Sequence, residues 1–186
     1  MKEESRLKFG LIHYYYGNGR GKTSTLVGTI IRALGHDLKP ILIQFLKLHD
    51  ENSKHSGFFI GEVNFLKNFI PVKQFGGYDF IYSVERATKE DNLRAQNGLK
   101  FAKKTVMSGE YDLVALDEIV DTIKLNLIKM EDVLDILKNK PNHVEIIMTG
   151  HFLFEELVAI SNYVTNYQLV RHPYMLGIEA RPGIEY

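Results

Sequence analysis

Cysteine is missing from all 186 residues, which excludes disulfides, thiolate metal sites and cysteine nucleophiles and is compatible with a reducing compartment. A surplus of either charge is missing too. Lys plus Arg and Asp plus Glu number 23 each, so there is no broad basic field to gather nucleic-acid phosphates, and nucleic acid is not expected as a partner. No apolar run approaches the roughly 20 residues of a membrane span. Residues 1–8 are charged rather than a signal peptide, so a cytoplasmic protein without a membrane partner is expected. Internal repeats and low-complexity segments are also lacking. What is present, 45% hydrophobic composition over this length, suffices for one α/β domain with a substantial core. Residues 1–8 read as a polar tail and residues 171–186 as a non-periodic C-terminal segment within it.

The most informative stretch is Tyr16 to Ser24, Y-G-N-G-R-G-K-T-S. Before it, Phe9 to Tyr16 is rich in aromatic and branched residues and reads as a strand. After it, Leu26, Ile30, Ile31 and Leu34 recur at helical spacing from Thr23 onward. Strand, glycine turn and helix in that order is the context of a phosphate-binding loop. Gly17, Gly19 and Gly21 lack a β-carbon and can turn several N–H groups inward around an anion. The helix start adds free N–H groups and the positive end of its dipole. Gly17, Asn18, Gly19, Arg20, Gly21, Lys22, Thr23 and Ser24 are therefore the expected phosphate-binding residues, with the Lys22 ammonium on the outer phosphates and the Thr23 hydroxyl on magnesium. The strict pattern G-x-x-x-x-G-K-[ST] asks for glycine at position 16; this chain has Tyr16 and meets the pattern from Gly21 onward.

Further along, Ile41 to Leu46 is an apolar run without alternation, as in a parallel strand covered on both faces. Gln44 and Lys47, at or just past its end, are either ligand contacts or solvated strand-end residues. His49 and His55 fit no common zinc spacing and are not expected to bind metal. Glu62 to Leu66 reads as a short strand and Asn68 to Tyr82 as a glycine-broken aromatic loop, whose rings line an apolar ligand site or cap the sheet. Ser83 reads as the cap of a long helix to about Met107, burying Val84, Ala87, Leu99, Ala102 and Val106, with Gly109 beyond it. Tyr111 to Leu116 is a strand that delivers Asp117 and Glu118, carboxylates suited to magnesium beside the loop, although Asp117 can also serve as a helix cap. Glu131 to Lys138 and Glu155 to Ile160 read as helices, and His143 to Thr149 and Tyr163 to Val170 as strands. The final stretch carries Arg171, His172, Tyr174 and Arg181, which suit an anionic ligand if it is ordered and mean nothing if it is frayed.

On these residues the chain resembles the P-loop type of corrinoid adenosyltransferase. The resemblance runs nearly end to end. It rests on G-N-G-R-G-K-T-S at Gly17 to Ser24, I-Q-F-L-K at Ile43 to Lys47, Y-D-L-V-A-L-D-E-I at Tyr111 to Ile119 and T-G at Thr149 to Gly150. Most specific are L-V-R-H-P-Y and G-I-E-A-R-P-G-I-E-Y within Leu169 to Tyr186. It departs at Tyr16 and Ser24, where the family has Thr, at His151, where it has Arg, and at Gly77 to Phe80, G-Y-D-F in place of G-F-T-W.

The resemblance implies a P-loop NTPase-like (RecA-like) α/β fold, a mostly parallel sheet with helices on both faces. It implies transfer of the adenosyl group of ATP to Co(I) of a cobalamin or related corrinoid, with triphosphate released and no side-chain nucleophile or base. Magnesium would be held by Thr23 with Asp117 or Glu118. Tyr78, Phe80 and Tyr82 would face the corrinoid; Gln44, Lys47, His172 and Arg181 are further candidate contacts. An electron-donating reductase and a homodimer are the implied partners. The loop and the Asp117 strand equally permit a P-loop kinase or NTPase, and Tyr16 and His151 leave room for a nucleotide-binding protein without turnover.

Overall fold

A computed structural model describes residues 7–50, 52, 59–78, 81 and 83–186. Its six strands are β1 (Ile12–Tyr16), β2 (Pro40–Phe45), β3 (Val72–Phe75), β4 (Leu113–Asp117), β5 (Glu145–Thr149) and β6 (Tyr163–Asn166). They form one sheet in the order β3-β2-β4-β5-β1-β6, and every pairing is parallel. The helices are α1 (Lys22–Leu34), α2 (Gly61–Leu66), α3 (Lys89–Ser108), α4 (Ile119–Lys124), α5 (Met130–Asn139) and α6 (Glu155–Ile160). The expected α/β class is what is observed.

Side chains that alternate along a strand divide the core between the two faces of the sheet. Ile41, Ile43, Val114, Leu116, Ile146 and Met148 join α3, α4, α5 and α6 on one face. Leu42, Leu113, Ala115 and Ile147 meet Leu26 and Ile30 of α1 and Leu66 of α2 on the other. The inner strands β2 and β4 are therefore buried throughout, whereas β6 at the edge is exposed at every position. A fully buried side chain such as Leu116 contributes about 1.5–3 kcal/mol of transfer free energy. Among the described residues no helix is long and apolar enough to cross a membrane.

Several sequence expectations need correction. The long helix starts at Lys89, not after Ser83, because Thr88 and Asp91 form a reciprocal capping box; Ser83 only precedes a short 3-10 turn, Val84–Arg86, and makes no side-chain cap bond. Glu62 to Leu66 lies within a helix, with Ile60, Val63, Leu66 and Ile70 buried at helical intervals. Val72–Phe75, read as loop, is an edge strand beside β2. The last strand stops at Asn166 rather than Val170, and α4 directly after Glu118 is an element the periodicity did not disclose. Phe9 stands exposed ahead of β1.

Candidate functional site

The loop between β1 and α1 is bent by two left-handed residues, Gly17 at φ 110° and Gly21 at φ 113°. Gly19 is needed for room instead: a β-carbon there would come 2.6 Å from the Tyr167 carbonyl oxygen. The close approach is deliberate in the chain's own hydrogen bonds, since the Gly19 N–H donates to the Tyr167 carbonyl at 2.7 Å and the Tyr167 N–H to that of Tyr16 at 2.8 Å. The residue leaving β6 thus holds the loop from behind, while the first turn of α1 presents its free N–H groups in front. Lys22 curls back so that its ammonium donates to the carbonyls of Gly17 at 2.6 Å and Gly19 at 3.0 Å. Burial lowers its pKa below the ordinary lysine value, partly offset by Asp121 and Glu118. A charge held in that way is available to an incoming anion.

The C-terminal ends of β2 and β4 bring Gln44, Lys47, Asp117 and Glu118 to the loop. Asp117 is fully buried and its carboxylate accepts four hydrogen bonds. Oδ1 takes the hydroxyls of Thr23 (3.0 Å) and Thr149 (2.7 Å), and Oδ2 takes the Gln44 amide (3.0 Å) and the Lys47 ammonium (2.7 Å). Lys47 also reaches Thr23 Oγ1 at 3.2 Å and Glu118 Oε1 at 3.3 Å. Burial opposes the Lys47 charge, but Asp117 and Glu118 outweigh it and hold its pKa above the ordinary value. Burial likewise opposes the Asp117 charge, and Lys47, by charge and hydrogen bond, together with the Thr149 and Gln44 donors keeps that carboxyl below the usual range. Glu118 goes the other way. Burial, then Asp117 and Asp121, raise its pKa despite Lys47. Its backbone sits at φ 62°, a left-handed conformation uncommon outside glycine, with its N–H held by the Thr149 hydroxyl at 2.8 Å and its carbonyl by that of Thr122 at 2.9 Å. Two threonines therefore fix the direction in which this carboxylate leaves the chain.

Between β1 and β4 in the sheet lies β5, and the residues that follow it complete the site. Gly150 must be glycine, because a β-carbon would come 2.5 Å from Asp121 Oδ2. That carboxylate grips His151 twice, accepting its N–H at 2.9 Å and meeting ring Nδ1 at 2.9 Å, while the His151 carbonyl accepts the Gly17 N–H at 3.2 Å. The Tyr14 hydroxyl donates to the Phe152 carbonyl and accepts the Phe154 N–H at 3.2 Å, which anchors the segment to β1. Asp121, Thr149 and Tyr14 were not singled out from sequence; only the T-G pair hinted at them.

Two cavities meet here. The first, about 770 Å³, runs from the loop and Ser24 along Val27, Gly28 and Ile31 of α1 to the chain's last four residues. The second, about 880 Å³, is lined by Leu46, Ile81, Val84, Leu125 and Phe152. Asn18, Lys47, Glu118 and His151 line both, so these four residues form the seam. The C-terminal segment is folded back rather than frayed. Arg181 takes both oxygens of Glu185 at 3.1 Å, Arg20 meets Glu185 at 3.3 Å and also donates to the Ile184 carbonyl, and the Tyr186 carbonyl accepts the Gly183 N–H at 2.7 Å.

Of the residues expected from sequence, Gly17 to Ser24, Thr23, Asp117, Glu118 and Lys47 are together. The Arg20 side chain is turned to the tail. His172 lines the first cavity. Gln44 is buried between Asp117 and Gln74, Arg181 is occupied by Glu185, and Tyr78 stands exposed with its hydroxyl 3.5 Å from Asp50; none of these three lines either cavity. Phe80, Tyr82 and His55 lie outside the described residues. His49 Nδ1 accepts the Ile60 N–H at 2.9 Å, a bond internal to the fold. Among the described residues no three His, Cys, Asp or Glu side chains cluster as a metal site.

A strand, a glycine loop and a helix that cradle an ammonium, beside a carboxylate at the end of a neighbouring parallel strand, define a nucleotide-binding α/β protein of the phosphate-loop class. The chain matches the family model for ATP:corrinoid adenosyltransferase BtuR/CobO/CobP over residues 8–186 and belongs to that family. It is 27% identical to the corrinoid adenosyltransferase of Escherichia coli K12, covering 95% of this chain and 86% of that one. It is 29% identical to that of a Sinorhizobium species, covering 95% and 80%. An uncharacterized protein of Nostoc sp. PCC 7120 is 30% identical over 94% of this chain and 49% of its own length. Among solved structures, ATPases 2 and 3 of EssC from Geobacillus thermodenitrificans align over 94% of this chain and 35% of that one at 13% identity and a TM-score of 0.48, from which nothing about the site follows.

Proposed function

We propose that this chain transfers the 5′-deoxyadenosyl group of ATP to Co(I) of a cobalamin or related corrinoid and releases triphosphate. The observation that carries this reading is the seam: a phosphate-loop cavity and a larger apolar one touch along Asn18, Lys47, Glu118 and His151. A corrinoid is a broad, mostly apolar disc, and the second cavity has matching walls in Leu46, Ile81, Val84, Leu125 and Phe152. With triphosphate in the loop and the ribose at the seam, the 5′ carbon faces that disc. Phe80 and Tyr82 flank Ile81 in the chain and are proposed to border the same substrate, with Tyr78, which lines neither cavity, reaching it at most where the disc extends beyond the walls.

Co(I) is itself the nucleophile, so the protein has two tasks, to hold the reactants together and to neutralise departing charge. Loop N–H groups and the Lys22 ammonium perform the second. For magnesium the oxygen donors fit. Thr23 gives its hydroxyl hydrogen to Asp117, accepts from Lys47 and has one lone pair left, and the raised proton affinity of Glu118 marks a carboxylate whose burial a cation would relieve. Asp117, saturated by four donors, then orients Thr23 and Lys47. Bound there, magnesium would neutralise phosphate charge. His172 borders the nucleotide, while Gln44 and Arg181 act indirectly, through Asp117 and through the tail. A cytoplasmic homodimer supplied by an electron-donating reductase, with residues 1–186 working as one domain, completes the proposal.

The test is product analysis with ATP, magnesium and chemically reduced corrinoid. Triphosphate together with the absorption spectrum of an adenosylated corrinoid is expected; ADP would mean phosphoryl transfer, and no product under strongly reducing conditions would mean a nucleotide-binding protein without turnover.

A further inference from the structure

Of the four residues at the seam, Asn18, Lys47, Glu118 and His151, the histidine is the one whose free side chain titrates near neutral pH. His151 is half-exposed to the two cavities, and Asp121, buried at the first turn of α4, takes its Nδ1 and its backbone N–H with separate oxygens. That double grip fixes the ring's orientation and leaves Nε2 as the nitrogen available to a ligand. The same residue's carbonyl holds the Gly17 N–H, so the ring is tied to the turn that begins the phosphate loop.

We propose that His151, oriented by Asp121, is a catalytic residue that donates from Nε2 to the triphosphate as it leaves, and that adenosyl transfer in this protein therefore weakens as the imidazolium loses its proton. The inference rests on the adenosyl-transfer reading above. In the step, the C5′–O bond opens and its electron pair stays on the triphosphate, while the pair on Co(I), supplied by an external reductant, forms the Co–C bond. No proton needs to move; what His151 adds is positive charge where negative charge develops.

Charged and titratable groups face this imidazole or share its cavity from each element around it: Glu118 just before α4 and Asp121 and Lys124 within it, Lys22 at the start of α1, Lys47 beyond β2, Glu85 of the 3-10 turn, and the Tyr14 hydroxyl of β1 behind its segment. The Asp121 hydrogen bond raises the His151 pKa above the ordinary imidazole value, burial and Lys22 work against it, and the charges of Asp121 and Glu118 add to the rise. The ring is thus held as a cation further into the neutral range than a free histidine.

Adenosyl transfer with chemically reduced corrinoid, and inhibition by inorganic triphosphate, are to be measured across the range from about pH 6 to about pH 10 in the wild type, His151→Arg, His151→Gln and Asp121→Asn. Taking the ratio to His151→Arg cancels the titration of triphosphate, Lys22 and Glu118. Wild type is expected to match His151→Arg at the acid end and to fall about tenfold behind it at the alkaline end, the size of one hydrogen bond to a charged group. His151→Gln should be about tenfold weak at every pH, and Asp121→Asn should move the wild-type fall to lower pH. A ratio that does not change with pH, in transfer and in triphosphate inhibition alike, overturns the inference while leaving the adenosyltransferase reading intact. Absence of adenosylated product from the wild type at every pH would overturn that reading itself.

Discussion

The two cavities that meet at the seam are built on opposite plans. The phosphate end of the first cavity is one consecutive stretch, Asn18 to Ser24, shaped by the glycines of its turn and with one ammonium inside, while α1, His172 and the chain's last four residues line much of the rest. The apolar cavity is made of side chains gathered from separate places, Leu46 after β2, Ile81 and Val84 before α3, Leu125 after α4 and Phe152 after β5. The first recognises an anion through fixed dipoles and cannot be altered piecemeal. The second recognises shape and can be reshaped one residue at a time.

The strongest challenge to that contrast is Lys22→Ala. Loss of about 100-fold or more in kcat/KM for ATP is expected, the scale of removing one preorganised charge donor, with corrinoid affinity unchanged. Unaltered ATP affinity, read by calorimetry, would mean that the loop is not where nucleotide binds. Next in size, Val84→Trp places an indole in the apolar cavity, of which Val84 is a half-open wall. It should raise the corrinoid KM by roughly tenfold or more, the weight of one misplaced large side chain in a pocket, and leave ATP binding as it was. Phe80→Ala should act in the same direction; equal loss of ATP and corrinoid binding would make that segment a support for the fold.

Stability sharpens the comparison further. Lys47→Met leaves Asp117 buried without its ammonium, which should cost about 3 kcal/mol in chemical denaturation at neutral pH. Because Lys47 contributes to the depressed Asp117 pKa, its stabilisation is present above the ordinary carboxylate range and is lost as pH falls through that depressed value. The wild type's advantage over the variant should therefore vanish in acid; a difference constant with pH would contradict the ion pair. The smallest effect belongs to the tail. Glu185 binds Arg181 and Arg20 on an exposed surface, so Glu185→Gln should raise the ATP KM only about twofold, and less in high salt.

The same contrast explains what could be read from the chain. A loop that depends on Gly17 and Gly21 for left-handed turns, followed by Lys22 and Thr23, is legible because its shape and its chemistry sit in one stretch. β4 with Asp117 was legible for the same reason, an apolar run ending in acid. Asp121, Thr149 and Tyr14 were not, because their partners lie about thirty to 140 positions away, and only the fold brings Asp121 to His151 or Tyr14 to Phe152. β3 was misread because an edge strand of four residues between Pro71 and Gly76 has too little buried surface to leave a pattern. The helix start was misplaced because two capping residues, Ser83 and Thr88, stand five positions apart, and only Thr88 has Asp91 three residues on to close the box. The tail's order was invisible in composition, since it comes from Arg20 and Arg181 converging on Glu185.

The most direct measurement is equilibrium binding of ATP and, separately, of corrinoid to Lys22→Ala and Val84→Trp side by side. Lys22→Ala is expected to lose the nucleotide and keep the corrinoid, and Val84→Trp to do the reverse. If either variant loses both ligands while remaining folded, or if the two losses are exchanged, the division of the site into a phosphate cavity and a corrinoid cavity is wrong.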